Sequence, residues 1–194
     1  MKYTLILFCV LVGMIGCKDR PGTHPSVETN PAVDSLSQTV NQAETNPAEE
    51  AVLVGKHPLS TLRQDPYHTW FDENYSYSPQ EEIIKQLQPA LTDVEMTVFM
   101  GTWCSDSQQH VPVLVRILEA ANYDLQKITL IAVDEDKKTP ENWEEDHTIE
   151  YVPTIILWRH GKELGRIVEY PMQTLEEDLL KIVTGQPYKH AYQE

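Results

Sequence analysis

One cysteine stands where a reactive thiol would be placed. Cys104 follows the apolar run Val94–Met100, with Trp103 before it and Ser105, Asp106 and Ser107 after it; far downstream comes Val152-Pro153-Thr154. Only a thiolate attacks a disulfide sulfur, and an ordinary cysteine, with a pKa of ~8.5, is mostly protonated at neutral pH. A strand ending just before Cys104 and a helix beginning just after it would set the sulfur at a helix N-terminus. Unpaired N–H groups and the helix dipole favour an anion there. Ser107, one turn along, is placed to donate a hydrogen bond to the sulfur, whereas the carboxylate of Asp106 opposes the anion. The balance of these effects predicts a thiol of moderate reactivity.

The other two of the three cysteines, Cys9 and Cys17, lie at the N-terminus. Lys2 and Tyr3 precede the apolar stretch from Thr4 to Gly16, which is too short to span a bilayer. A basic start, a short apolar stretch and small residues before a cysteine resemble a bacterial lipoprotein signal, with Met14-Ile15-Gly16-Cys17 as the lipobox. The resemblance implies cleavage after residue 16 and a diacylglycerol on the Cys17 sulfur. Cys9 would leave with the signal peptide (1–16) and Cys17 would become a thioether, so Cys104 would be the only free thiol. An uncleaved anchor or an ordinary secretory signal is the competing reading. Acyl chains contribute ~0.8 kcal/mol per buried methylene to membrane binding. The expected location is therefore the bacterial cell envelope, lipid-anchored, facing the periplasm or the cell exterior.

Composition fits an exported, tethered domain. The 15 basic and 30 acidic residues give a net charge of −15, which disfavours nucleic acid and anionic lipid faces as partners. So few cysteines build no disulfide scaffold. From Lys18 to Ala51 the chain is mostly Pro, Ser, Thr, Asn, Gln and Glu, and it has too little apolar surface to offset its ordering entropy. Residues 17–51 are thus expected to be the lipidated cysteine and a flexible tether, with an rms reach of roughly 30 Å. Residues 52–194 suffice for one folded domain. Within it, Tyr67, Trp70, Phe71, Tyr75 and Tyr77 are expected to serve as core packing or as a covering flap rather than as a ligand box.

The elements that must position Cys104 are readable. Ser78-Pro79-Gln80-Glu81 predicts a helix start with serine as N-cap, proline at the first helical position and a capping-box glutamate. Ile83, Ile84 and Leu87 continue it at helical spacing. Alternation of Val94, Met96, Val98 and Met100 predicts a strand. Val111, Leu114, Val115 and Leu118 return to helical spacing. The nearly all-apolar run Ile128–Val133 predicts a central strand covered on both faces. Thr139-Pro140 predicts a short helix. Thr154–Trp158 and Leu164–Val168, on either side of Arg159-His160-Gly161-Lys162-Glu163, predict a hairpin. Leu175, Leu179, Ile182 and Val183 predict a last helix stopped by Gly185 and Pro187.

That order, with its motifs, resembles the thioredoxin superfamily over residues 80–185. A Trp precedes the cysteine at a strand-to-helix junction, Pro112 follows the cysteine by eight residues, and Val152-Pro153-Thr154 opens the hairpin like the family's cis-proline segment. The resemblance implies a three-layer α/β/α sandwich with a mixed central sheet and a cis bond before Pro153. It implies Cys104, Ser107 and Pro153 as the reacting site, with Trp103, Ser105, Asp106, Val152 and Thr154 around it. Two departures stand out. A dithiol member would carry its resolving cysteine at position 107, where serine stands, and a buried aspartate at position 98, where valine stands.

Other constellations carry less. His110 lies six residues after Cys104, about 240° around a helix, so the two side chains diverge and metal ligation is not expected. A peroxiredoxin pattern needs proline and threonine where Thr97 and Gly101 stand. Asp134-Glu135-Asp136 lacks a calcium loop's glycine, and no phosphate-cradling loop is seen. No cofactor is expected. Two functions compete: a membrane-tethered oxidoreductase exchanging mixed disulfides with protein or small-molecule thiols through Cys104, and a redox-inactive binding or chaperone-like module.

Overall fold

The alternation in Val94–Met100 forms the strand at the centre of the domain, β2. The computed structural model describes residues 52–193; the lipobox, Cys17 and the tether lie outside the described residues. The strands are β1 (Gly55–His57), β2 (Val94–Met100), β3 (Ile128–Ala132), β4 (Thr154–Arg159) and β5 (Lys162–Val168). They form one mixed sheet in the order β1-β3-β2-β4-β5. β2 runs parallel to β3, with Val98 beside Leu130, and antiparallel to β4, with Val98 beside Ile155. The helices are α1 (His68–Tyr75), α2 (Glu81–Ala90), α3 (Ser105–Ala120), α4 (Trp143–His147) and α5 (Leu175–Val183).

Strand alternation separates two apolar layers. Val94, Met96, Val98, Met100, Leu130, Ile155 and Leu157 pack with α1, α2, α3 and α5. Phe99, Ile131, Val133 and Ile156 face the other way, against Trp143 of α4 and Trp158. The result is the expected α/β fold with a mixed central sheet. The hairpin turn is His160-Gly161, both at positive φ (51° and 73°), the two-residue geometry that follows strand twist.

Two local readings need correction. Gln80, not Ser78, caps α2, and Ser78-Pro79 precede the helix. The reason is tertiary: the buried Glu176 carboxylate on α5 accepts from Gln80 N (3.1 Å) and from the Tyr77 hydroxyl (2.9 Å), so no local capping box is needed. α4 begins at Trp143, three residues beyond Pro140, where Thr139 Oγ1 accepts from Trp143 N (3.0 Å) and donates to Glu144 (2.7 Å). The aromatic segment is core: Leu59–Arg63 forms a 3-10 turn, α1 follows, and Phe71 is fully buried. Arg63 lies over the Tyr75 and Phe71 rings (4.7 and 5.1 Å) and pairs with Glu119 of α3 (2.9 Å).

At the start of α5, Asp178 is fully buried and accepts from Met172 N (2.6 Å) and the Tyr188 hydroxyl (3.1 Å) through Oδ2, while Oδ1 has no partner. Burial outweighs these bonds and holds its carboxyl above the usual carboxylate range. A raised folded-state value means stability that is present below the unfolded pKa of ~3.9 and is lost as pH rises through the folded value. Asp178→Asn cannot ionise. Its Tm difference from the native chain should therefore become more favourable between pH 4 and pH 7 in thermal unfolding; a shift in the opposite direction would contradict this assignment.

Candidate functional site

The loop leaving β2 places Cys104 as the N-cap of α3, with extended backbone (φ −91°, ψ 122°). Its amide donates to Gly101 O (3.1 Å) and its carbonyl accepts from Gln108 N (3.0 Å), the first bond of the helix. Gln108 Nε2 reaches back to Thr102 O (2.6 Å), and Thr102 Oγ1 accepts from Leu53 N (3.2 Å). The Trp103 indole donates to Val133 O (3.0 Å) at the end of β3. A Cβ on Gly101 would come within 2.5 Å of that indole, so glycine is required here by close approach. Pro112 lies buried inside α3.

Cys104 is free and half-buried. Its Sγ donates to Val152 O (3.2 Å), and the bond from Val152 to Pro153 is cis. β4 starts at Thr154, paired with Phe99 of β2, so strand pairing alone carries Pro153 to the Cys104 loop. Pro153 O accepts from Glu169 N (2.8 Å), and Thr154 Oγ1 donates to Tyr151 O (2.7 Å). The cis-proline loop is thus tied to the segment that follows β5.

The structure brings Trp103, Cys104, Val152, Pro153 and Thr154 together, with Ser105 exposed and Asp106 half-buried on the first turn of α3. Ser107 is placed differently from expectation. It is fully buried and its Oγ accepts from Gly101 N (3.2 Å), the sulfur donates to Val152 O, and no hydrogen bond joins Ser107 to the sulfur among the described residues. Position 107 points inward from the first turn, which is why a hydroxyl there finds the strand-end amide first. His110 has a lowered pKa because burial disfavours its cation, with Asp106 partly opposing. Among the described residues, no cluster of three or more His, Cys, Asp or Glu side chains is assembled that could hold a metal ion.

Sequence reasoning missed Tyr151, Glu169, Tyr170 and Tyr192. Tyr151 and Tyr192 stack at 3.9 Å between centroids, and the Tyr192 hydroxyl donates to Glu169. Only the position of Tyr151, two residues before Pro153, could have flagged it; nothing in the sequence brings Tyr192 to the same place.

A half-exposed thiol at a helix N-terminus beside a cis-proline, on a mixed five-stranded sheet, defines a thioredoxin-like α/β protein. The chain belongs to the thioredoxin family: the family model described as Thioredoxin matches residues 60–181. Among solved structures, a Pseudomonas aeruginosa protein of unknown function is 17% identical with a TM-score of 0.46, over 61% of this chain and 81% of that one. Fasciola hepatica thioredoxin is 17% identical with a TM-score of 0.35, over 53% and 89% respectively. Arabidopsis thaliana thioredoxin O2 in its oxidized state is 21% identical with a TM-score of 0.31, over 44% and 76%. No curated protein matches the chain by sequence.

Proposed function

We propose that this chain is a thiol–disulfide oxidoreductase working through Cys104 alone, held at a membrane by a lipid on Cys17. The observation that carries the reading is the half-exposed Cys104 sulfur at the N-terminus of α3, 3.2 Å from the Val152 carbonyl beside the cis-proline. The Cys104 thiolate attacks one sulfur of a client disulfide. A new S–S bond forms, the client's S–S bond breaks, and the departing sulfur takes the electron pair and then a proton from water. Trp103 walls the approach, and the cis-proline loop offers backbone to an extended client. Ser107 has no sulfur with which to expel the product, so an outside thiol, protein or small molecule, must resolve the adduct.

One observation favours the second reading, a redox-inactive thioredoxin-fold binding module. The bond to Val152 O is donated by an S–H group, so reaction requires that bond to be broken. Exposure to a small disulfide such as oxidised glutathione, followed by peptide-level mass spectrometry, separates the two. An adduct at Cys104 that dithiothreitol releases supports exchange; an unmodified Cys104 supports the binding module.

The anchor has its own expected result. The chain should fractionate with membranes and incorporate labelled fatty acid, and Cys17→Ala should abolish the label while leaving the folded domain unchanged. Recovery of the native chain unlabelled in the soluble exported fraction would contradict a lipid anchor. The proposed setting is the bacterial cell envelope, with the domain facing the periplasm or the exterior.

A further inference from the structure

After α5 the chain turns back beside β5, one of the two edge strands of the sheet, where Gly185, Gln186 and Tyr188 lie close to Leu164, Gly165 and Arg166. Gly185 N donates to Ile182 O and Gln186 N to Lys181 O, a glycine-terminated helix end that sends the backbone back beside the strand. The tail is then pinned once, by the Tyr188 hydroxyl on buried Asp178. Beyond Tyr188, one side chain lands on the cis-proline loop. The Tyr192 ring lies flat on Tyr151 (3.9 Å between centroids, planes at 9°), and Tyr170 meets it edge-on (6.4 Å, 63°). Its hydroxyl donates to Glu169, whose own amide binds Pro153 O.

Three features mark this as a place for a ring that comes and goes. Tyr151 directly precedes Val152, the residue whose carbonyl takes the Cys104 S–H, and Glu169, which takes the Tyr192 hydroxyl, donates its amide to Pro153 O, so the stacked rings are tied to the loop that touches the thiol. Tyr192 is 41% exposed, and beside it lie Tyr170 and Met172, 45% and 52% exposed. These are three of the four large hydrophobic side chains exposed among the described residues. A cavity of about 300 Å³ adjoins the ring, lined in part by Glu150, Tyr151, Thr154, Arg166, Val168 and Tyr192.

We infer that Tyr151, Tyr170 and Glu169 form an aromatic subsite for a client side chain next to the client's disulfide, and that Tyr192 fills it when no client is bound. The ring geometry states the preference. A flat face on Tyr151, an edge against Tyr170 and a carboxylate for a hydroxyl suit tyrosine best, phenylalanine next, and alanine not at all. A client aromatic displaces Tyr192 by taking over the same contacts, and the tail stays attached through Tyr188.

This inference rests on the reading of Cys104 as the exchanging thiol, and its test has an arm that does not. Two peptide disulfides, identical except for Tyr or Ala beside the cysteine, are reacted with the full chain and with Tyr192→Ala, and adduct formation at Cys104 is timed. The Tyr-over-Ala rate ratio should rise about three- to tenfold in the variant, because the internal competitor is gone. An unchanged or lower ratio would overturn the subsite. The second arm titrates cysteine-free Gly-Tyr-Gly and follows the Tyr151 ring by NMR. Binding should be tighter to Tyr192→Ala than to the native chain, and equal or weaker binding would overturn the proposal. If Cys104 reacts with neither peptide nor oxidised glutathione, the exchange reading falls, and the Gly-Tyr-Gly arm still decides the subsite.

Discussion

In a Ser107→Cys variant, the covalent adduct between Cys104 and a client should disappear far faster than in the native chain. The new sulfur would sit one turn along α3 from Cys104, already held in place by the helix. Attack from such a position is intramolecular, and effective molarities for well-placed groups vastly exceed millimolar external thiol, so adduct lifetime should fall about a hundredfold or more. The gain is bounded by the surroundings. Val98 is fully buried in the apolar layer and offers no carboxylate to move the proton of the incoming thiol. The substitution also weakens a buried hydrogen bond, because Ser107 Oγ is the acceptor for Gly101 N and sulfur accepts poorly. A stability loss of about 1–3 kcal/mol should accompany the faster turnover. Adduct decay followed by quenched mass spectrometry checks the rate; a lifetime equal to that of the native chain would show that position 107 cannot reach the adduct.

The second large effect is on stability. Phe71→Ala should cost about 3–5 kcal/mol, read as a shift in denaturant midpoint at unchanged slope. Phe71 is fully buried, its ring faces Tyr75 at 5.8 Å, and the Arg63 guanidinium caps both rings while pairing with Glu119 of α3. Removing the ring opens a cavity between α1 and the helix that carries Cys104 at its N-terminus. A loss below about 1 kcal/mol would mean that the segment before α2 is a detachable cover.

The parts of this fold that were legible in the sequence are those where local pattern and tertiary demand agree. The alternation Val94, Met96, Val98, Met100 is the core face of β2, and Val111, Leu114, Val115 and Leu118 are the core stripe of α3. Pro153 beside the thiol was implied by the thioredoxin resemblance alone, and the strand pairing that puts Thr154 opposite Phe99 is what places it there. The misreadings arose where a distant group supplied what local chemistry was expected to supply. Glu176, nearly a hundred residues on, satisfies the N-terminus of α2 in place of Ser78. The box Thr174–Glu177 that does cap α5 is the same signal in a place where it was not read. β1 has only three residues, Gly55-Lys56-His57, too few to show a period, and exists because β3 offers it an edge. Ser107 was assigned to the sulfur by helical spacing, but the inward face of the first turn gives it to Gly101. Tyr192 was illegible because its contact with Tyr151 depends on the path of the tail beside β5.

The central claim, exchange through one sulfur, is tested most directly by counting thiols. The pre-reduced chain, with no other thiol present, is mixed with excess insulin, and free client thiols and covalent adducts are counted per Cys104. A single attacking sulfur with nothing to expel the product should free one client thiol for each adduct formed and then stop. Two freed thiols per chain without an adduct would contradict the account, since that balance needs a second sulfur in the role it denies to position 107.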